Sequence, residues 1–343
     1  MKIYVFCPDS KEIRGGIKQL YTMVDRLNEY GYDACLIHSR PSALASWFHH
    51  DTKHVFFPYL FFLLRHIIIK KDTHSFLFKL KKWLFINKEL PEKDAVIVFP
   101  EVYGPDVVHL LPQNPFVIFN QNCYLTFHLF NFNENRKSPY LADNLLGAVV
   151  VSEDSKRYLQ YVYPLLSVQR IYLGLDPCFM LGMEKKKKIA FMPRKLSEDA
   201  LQVINIIQAK SLSIGWEIVA IEDKSEFEVA EELQDTMIFL SFNDQEGFGL
   251  PPVEAMACGC YVIGYMGRAG VEYFKEEFCS PILERNVIEF ADTVGRTIAE
   301  FDCTPQITIE KGRTASQFVH QHYNAINAED SLKTAWEKLL VKK

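Results

Sequence analysis

The chain has 343 residues, of which 48% are hydrophobic and 24% are charged, and its formal net charge is −5. This composition is that of a globular protein. It excludes a disordered chain, a collagen-like chain and a small disulfide-stabilised scaffold. At about 150 residues per domain, the length predicts roughly two domains. The mild net acidity gives the protein as a whole no attraction to nucleic acid.

The N-terminus and the cysteines favour a cytoplasmic protein. The short apolar run after Lys2 lacks the length of a signal peptide and indicates a buried first strand. No uncharged apolar run reaches about 18 residues, so no membrane-spanning helix is predicted. The eight cysteines include no Cys-x-x-Cys pair, which favours free thiols in a reducing compartment.

Apolar runs of strand length alternate with helical patterns along the first half of the chain. Continuous apolar strands separated by helices are typical of a parallel sheet that is covered on both faces. The predicted strands are 2–8, 32–38, 95–100, 116–120, 148–152 and 170–173, and the predicted helices are 16–30 and 153–162.

A second series of the same kind begins near residue 187. Its predicted strands are 188–192, 217–221, 237–242 and 261–265, and its predicted helices are 199–209, 252–257, 287–301, 309–320 and 329–341.

The segment Gly174-Leu175-Asp176-Pro177 and the charged run behind it separate the two series. We therefore predict an α/β fold with two Rossmann-like domains facing across a cleft. The predicted division is an N-terminal domain at 1–174, a C-terminal domain at 175–325 and a final helix at 326–343 that could cross back to the first domain.

Two loops that follow strands have the composition of phosphate-binding turns. In the first, Gly15 and Gly16 open a helix, where backbone N–H groups and the helix N-terminus favour an anion. The spacing is not Gly-x-Gly-x-x-Gly, so no nicotinamide-cofactor fingerprint is present. A plain tight turn explains this loop equally well.

The second loop is richer, and it runs from Asp244 into a helix that begins near Pro251 and Pro252. Its glycines free the backbone, and prolines suit a first helical turn. Glu246 stands in the loop and Glu254 lies about one turn into the helix. A carboxylate in such a place accepts hydrogen bonds from the vicinal hydroxyls of a ribose or a hexose. Singly, each glutamate could simply be solvated or favour the helix dipole.

Glu-x7-Glu with Gly247-Phe248-Gly249-Leu250-Pro251 inside it resembles the retaining GT-B glycosyltransferases of family 4. Several weaker motifs appear in the order that this family has them. They are Gly15-Gly16, 149–153, 171–176 with Phe179, and 267–272.

The resemblance implies roles for the residues of the second loop. Glu254 would bind the ribose of a nucleotide-sugar and Glu246 would bind hydroxyls of the donor sugar. The sugar and the diphosphate would be contacted by the backbone N–H groups of Gly247, Phe248, Gly249 and Leu250. The Gly15–Gly16 loop of the N-terminal domain would also bind the donor.

The family also carries an Arg and a Lys after the first strand of the C-terminal domain, and this chain has Arg194 and Lys195 there. Two cations suit a diphosphate whose negative charge grows as the glycosidic bond breaks. Here they are adjacent, whereas the family usually spaces them. Because adjacent side chains on an extended segment point to opposite faces, we expect Arg194 to contribute more than Lys195. A plain surface pair is the alternative.

On the acceptor side the chain departs from the family. Many members have a His after the strand equivalent to 116–120, and this chain has Gln121 and Asn122. Amides bind sugar hydroxyls but do not act as bases near pH 7. A retaining front-face mechanism can use a donor phosphate oxygen as the proton acceptor. Glu101, after strand 95–100, is a further acceptor-side candidate.

No Asp-x-Asp motif is present, and enzymes of this kind generally bind the diphosphate with cations and helix ends. We therefore expect no required metal ion and no cofactor apart from the nucleotide-sugar substrate.

Segment 53–88 has eight Lys or Arg residues against Asp72 alone, together with nine aromatic residues. Basic amphipathic helices with Trp and Phe lie in anionic membrane interfaces, and several family members reach lipid-linked acceptors in this way. Helices that pack on the sheet with their lysines in water are the other interpretation. No nucleic-acid-binding module accompanies the patch.

The leading hypothesis is a retaining, metal-independent, hexosyltransferase-like enzyme. It would move a sugar from a nucleoside diphosphate donor to a glycan or lipid-linked acceptor, in the synthesis of a bacterial-type surface polysaccharide or glycoconjugate. It would work in the cytoplasm, either free or as a peripheral protein at the inner face of the membrane. A non-catalytic GT-B subunit or glycan-binding partner of another transferase is the alternative, and a sugar-nucleotide epimerase is a third.

Overall fold

The structure, a computed structural model, describes residues 1–10, 14–69, 90–133, 136–182 and 184–341. The chain folds into two compact units. The N-terminal unit consists of Met1–Ile171 and the residues from Glu329 on, and the C-terminal unit is Tyr172–Ala328.

A seven-stranded parallel sheet forms the centre of the N-terminal unit, in the order β3-β2-β1-β4-β5-β6-β7. The inner strands β1, β4 and β5 are buried almost throughout, as continuous apolar strands require. The strands are β1 (Lys2–Phe6), β2 (Asp33–His38), β3 (His54–Phe56), β4 (Val96–Pro100), β5 (Phe116–Asn120), β6 (Leu145–Val150) and β7 (Val168–Arg170).

The helices of this unit cover the sheet with apolar stripes. They are α1 (Gly15–Glu29), α2 (Pro58–Ile69) and α3 (Glu153–Val162). Ser152 caps α3 by accepting a hydrogen bond from the backbone N–H of Ser155 at 3.1 Å, which satisfies one of the free donors at a helix start.

The C-terminal unit contains a five-stranded parallel sheet in the order β12-β11-β10-β8-β9. Its central strand, β10, is buried over its whole length. The strands are β8 (Lys186–Phe191), β9 (Glu217–Ala220), β10 (Thr236–Phe242), β11 (Tyr261–Tyr265) and β12 (Cys279–Ile282).

Helices of the second half surround this sheet, and the last one belongs to both units. The helices are α4 (Ser197–Ala209), α5 (Glu226–Asp235), α6 (Leu250–Ala257), α7 (Val287–Cys303), α8 (Pro305–His322) and α9 (Ala325–Leu340). The later part of α9 packs in the N-terminal unit, where Glu329 pairs with Arg26 at 2.8 Å. A Cβ on Gly147 of β6 would lie 2.5 Å from the Leu339 side chain.

Long apolar patterns predicted the elements well, and three predictions match the observed bounds: β5, β11 and α3. Apart from α2, which lies in the segment 53–88 whose interpretation was left open, three of the strands and helices given above were not predicted: β3, α5 and β12. The strands among them are short sheet edges, and β12 contains Pro281, which edge strands tolerate. Helix α5 is polar, yet Ser225 and Glu228 form a capping box at its start, a signal that the sequence contained.

The segment proposed to contact a membrane is described only in part. Residues 54–69 form β3 and α2, whose Leu60, Phe61 and Leu64 are buried in the core of the N-terminal unit. The more basic portion, 70–88, lies outside the described residues. Among the described helices, none combines the length and the apolar character needed to cross a bilayer.

Helix α8 approaches the turn behind α6 at Gly312, where a Cβ would lie 2.2 Å from the carbonyl oxygen of Gly259. Because backbone cannot yield there, we predict that Gly312→Ala lowers the free energy of unfolding by about 2 kcal/mol. Gly295→Ala in α7 is the matched control, since its Cβ would meet only the tip of the Leu212 side chain at 2.9 Å. Urea denaturation measures both. Equal effects of the two substitutions would contradict the packing of α8 on Gly259.

Candidate functional site

The 244–250 loop joins β10 to α6 at the carboxyl end of the central strand of the C-terminal sheet. Ligands of α/β proteins bind outside the carboxyl ends of the strands. The loop is the one that contains Glu246 and the glycines predicted to bind the donor. It therefore lies where the fold accommodates a ligand.

Gly249 has φ of +84°, in the region that favours glycine. A Cβ at this position would lie 2.4 Å from Asn243 Nδ2 and 2.8 Å from the Tyr273 hydroxyl oxygen. Tyr273 and Asn243 are both buried. Any larger residue would displace the loop, so Gly249 is required for its shape.

The start of α6 offers free N–H groups. Gly249 is its N-cap and has no side chain to cap the helix. Pro251 and Pro252 have no N–H, so the donors left at the helix start are the N–H groups of Gly249 and Leu250. Within the part of the chain that the structure describes, no acceptor takes the N–H groups of residues 247–250. Uncapped N–H groups at a helix start favour an anion such as a phosphate.

Lys195 links this loop to the loop between β8 and α4. Its ammonium nitrogen lies 2.7 Å from Glu246 Oε1 and 3.4 Å from the carbonyl oxygen of Asp244. The neighbouring residues Leu196 and Gln245 have φ of 48° and 47°, a conformation that costs about 1 kcal/mol in each non-glycine residue. Two of the six described non-glycine residues with positive φ thus lie where the two loops meet, and strained backbone of this kind occurs at functional sites.

Arg194 does not share this arrangement. Its side chain is exposed, while Lys195 is half-buried on Glu246. The structure thus brings Lys195, and not the Arg194 that we expected to contribute more, into contact with the predicted sugar-binding glutamate. Leu196 adopts a left-handed conformation, which ends the extended segment directly after Lys195. The rule that adjacent side chains of an extended segment point to opposite faces therefore does not decide which of the two cations reaches the loop.

Glu254 is half-buried on α6, four residues after Leu250. It lies on the second turn of the helix whose start carries the free N–H groups. Glu246 and Glu254 therefore belong to one strand–loop–helix unit, as predicted from their spacing.

In the N-terminal unit, the predicted acceptor-side residues meet at the carboxyl ends of β1, β4 and β5. The Gln121 side chain donates to the carbonyl oxygen of Gly16 at 3.0 Å. A Cβ on Gly16 would lie 3.1 Å from Gln121 Oε1, so this glycine allows the close approach. The neighbouring Gly15 is the first residue of α1. Residues 11–13, just before this loop, lie outside the described part.

Glu101 joins this cluster from the end of β4. The backbone N–H groups of Gln121 and Asn122 donate to its carboxylate, but burial is the larger influence and raises the pKa of Glu101 to about 7. Its Oε2 has no hydrogen-bond partner within the described residues. The Asn122 side chain instead accepts a hydrogen bond from the N–H of Tyr124 at 3.0 Å and caps a short helical turn.

The sequence interpretation missed two groups of polar residues. Asn243 and Tyr273 support the 244–250 loop from behind. Asp9 lies at the end of β1, where it accepts a hydrogen bond from the Ser39 hydroxyl at 2.5 Å, and its Oδ1 lies 3.9 Å from Nδ1 of the buried His38. A polar residue directly after a predicted buried strand was the available signal for Asp9 and Asn243.

Comparisons with known proteins agree with this geometry. Residues 206–300 match the family model described as glycosyl transferases group 1, a range that includes Glu246 and Glu254. An α-1,6-glucosyltransferase from Actinobacillus pleuropneumoniae serotype 7 (strain AP76) is 28% identical over 234 residues, which is 64% of this chain and 68% of that protein.

Solved structures show a similar fold over the whole chain. A sucrose-phosphate synthase from Thermosynechococcus elongatus has a TM-score of 0.67 at 13% identity, with 100% of both chains covered. The pneumococcal O-GlcNAc transferase GtfA, in complex with UDP and GlcNAc, has a TM-score of 0.64 at 10% identity, with 99% of both chains covered.

The fold is GT-B. Its two parallel sheets with flanking helices match those of glycosyltransferase structures, which confirms the predicted fold class. The resemblance to glycosyltransferases is confirmed at the level of the matched family model. Assignment to the retaining enzymes of family 4 stays a prediction. Among the described residues, no three His, Cys, Asp or Glu side chains lie together as the ligands of a metal ion would. Metal independence likewise stays a prediction.

The buried Glu101 predicts a dependence of stability on pH. Its pKa is about 7 in the folded protein against an ordinary value of 4.5. Between these values the folded state keeps a proton that the unfolded state has lost, so stability falls as pH rises through this range. We expect Glu101→Gln to be more stable than the wild type at pH 8 by up to about 3 kcal/mol, with little difference at pH 4.5.

Urea denaturation at both pH values measures this effect. Glu337→Gln, at an exposed position of α9, is the control and should leave the difference between the two pH values unchanged. If the Glu101→Gln protein showed the same pH dependence as the wild type, Glu101 would not be the group that titrates.

Proposed function

We propose that this protein is a retaining glycosyltransferase that transfers a sugar from a nucleoside diphosphate sugar to a hydroxyl of a glycan or lipid-linked acceptor. The observation that carries the proposal is the 244–250 loop. It combines free N–H groups with Glu246 and Glu254, and it falls within the range that matches the glycosyl transferases group 1 model. A diphosphate and a hydroxyl-rich sugar need these two kinds of partner.

The chemistry of the donor follows from the polarity of the loop. The N–H groups of Gly249 and Leu250 bind the diphosphate, and the carboxylates of Glu246 and Glu254 accept hydrogen bonds from sugar and ribose hydroxyls. As the glycosidic bond breaks, negative charge grows on the leaving diphosphate. Lys195 and Arg194 stabilise that charge, which lowers the barrier.

On the acceptor side, the cluster of Gln121 and Glu101 supplies amide and carboxyl groups that bind hydroxyls. Asn122 extends it. Gly16, whose carbonyl oxygen accepts from Gln121, belongs to the glycine loop proposed to contact the donor. No side chain in this cluster needs to take the acceptor proton, because a donor phosphate oxygen takes it in a front-face retaining reaction. The reaction requires no metal ion in this proposal.

The relatives favour particular donors. The relative from Actinobacillus pleuropneumoniae is an α-1,6-glucosyltransferase, and the structural neighbour GtfA was solved with UDP and GlcNAc. We therefore propose a UDP-hexose as the donor. We further propose a role in a surface polysaccharide or glycoconjugate, with the basic residues of segment 53–88 contacting the inner face of the membrane.

The first test is a thermal-shift screen of the full chain against UDP-, GDP- and ADP-sugars and the parent diphosphates. A ligand that binds the native state raises the melting temperature, so we expect one base to stand out. Glu254→Ala should weaken binding of that nucleotide about tenfold, as expected for the loss of a charged hydrogen-bond partner. Glu277→Ala, at an exposed position, is the control. A wild-type protein that neither binds nor hydrolyses any of these compounds would contradict the proposal.

The second test separates the two cations. We expect Lys195→Ala to lower the turnover of donor hydrolysis about 100-fold, as removal of a group that stabilises transition-state charge does. Arg194→Ala should also lower turnover more than donor binding, because the leaving diphosphate is more negative than the bound donor. Lys187→Ala is the control, since Lys187 pairs with Asp302 at 2.7 Å away from the loop. Unchanged turnover in both variants would exclude these cations from catalysis.

A further inference from the structure

Residues 248 and 249 present their backbone to a single buried side chain. The Tyr273 hydroxyl donates to the carbonyl oxygen of Phe248 at 2.7 Å and also lies 3.0 Å from the carbonyl oxygen of Gly249. Tyr273 has no exposed surface, and its ring packs edge-on against Phe248 with centroids 5.4 Å apart. The hydroxyl therefore holds two consecutive peptide groups from one side.

The planarity of the peptide bond carries this constraint to the other side of the loop. In a trans peptide, the carbonyl of one residue and the N–H of the next point in opposite directions. A Phe248 carbonyl turned toward Tyr273 directs the Gly249 N–H away from it, and the Gly249 carbonyl does the same for the Leu250 N–H. These are the two N–H groups that directly precede the prolines of α6.

Asn243 determines the direction of the Tyr273 hydrogen bond. Its amide nitrogen lies 3.4 Å from the Tyr273 hydroxyl oxygen and donates to the carbonyl oxygen of Met266 at 3.0 Å. A hydroxyl that accepts from Asn243 has its single proton left for the carbonyls of the loop. Burial also raises the pKa of Tyr273 well above its ordinary value, so this proton is present throughout the physiological pH range.

We infer that Tyr273 is a positioning residue for diphosphate binding, which fixes the peptide groups of Phe248 and Gly249 so that the N–H groups of Gly249 and Leu250 face the ligand. The inference rests on the proposed function, since it presupposes a nucleoside diphosphate at this loop. Tyr273 acts through the backbone and contacts no part of the donor.

The test is Tyr273→Phe in the full chain, which keeps the ring and removes only the hydroxyl. The matched control is Tyr261→Phe. Tyr261 is also buried, and its hydroxyl oxygen lies 2.8 Å from the hydroxyl oxygen of Ser280. It is the first residue of β11, whereas Tyr273 lies beyond the last residue of that strand. Isothermal titration measures the affinity for whichever of UDP, GDP and ADP the wild type binds, and for its parent nucleoside.

We expect Tyr273→Phe to weaken binding of the diphosphate about tenfold, because hydrogen bonds to a charged group are lost or misaligned. Affinity for the nucleoside should stay unchanged, and Tyr261→Phe should change neither. The affinity for the nucleoside is the second measurement. An unchanged value shows that the variant is folded, whereas a reduced value shows a general loosening of the site, which a purely structural role of Tyr273 would produce.

Equal losses for nucleoside and diphosphate, or no loss for either, would overturn the inference while the proposed function stands. A variant that no longer folds would also overturn it, since Tyr273 would then be required for the fold itself. A wild-type chain that binds none of the three diphosphates would instead overturn the proposed function, and this inference with it.

Discussion

The turn from β10 into α6 depends on the absence of a side chain at residue 249. With φ of +84° and no room for a Cβ beside Asn243 and Tyr273, only glycine fits. The same absence leaves the helix uncapped, and because the two prolines that follow have no N–H, the donors at the helix start are those of Gly249 and Leu250. One steric constraint thus determines both the path of the backbone and the free N–H groups that the loop presents. The anion-binding character of the loop follows from that constraint.

The two units place polar residues by the same means. In each sheet, buried apolar strands end together at one end of the sheet, and polar residues follow just beyond them. Glu101 and Gln121 follow β4 and β5, while Lys195 and Glu246 follow β8 and β10. The geometry is costly in both places. Glu101 is buried with one oxygen that has no partner among the described residues, and left-handed residues flank the Lys195–Glu246 pair. Such costs are usually retained where they serve a ligand.

Periodicity and motif spacing predicted the two series of strands and helices and the unit that contains Glu246 and Glu254. They did not predict which cation meets Glu246, because that depends on the left-handed turn at Leu196, which no local rule for leucine indicates. They also missed Tyr273, whose partners lie about 25 residues earlier in the sequence and meet it only through the pairing of β10 with β11. Local patterns reveal elements, whereas contacts between loops require the tertiary structure.

We propose that the 244–250 loop binds the diphosphate of a nucleotide through its backbone. A crystal structure of the protein with a bound nucleoside diphosphate tests it most directly. We predict phosphate oxygens within about 3 Å of the backbone nitrogens of Gly249 and Leu250, with the Tyr273 hydroxyl still on the carbonyl of Phe248. A diphosphate bound elsewhere, or a loop whose peptide groups have turned away from Tyr273, would contradict the account.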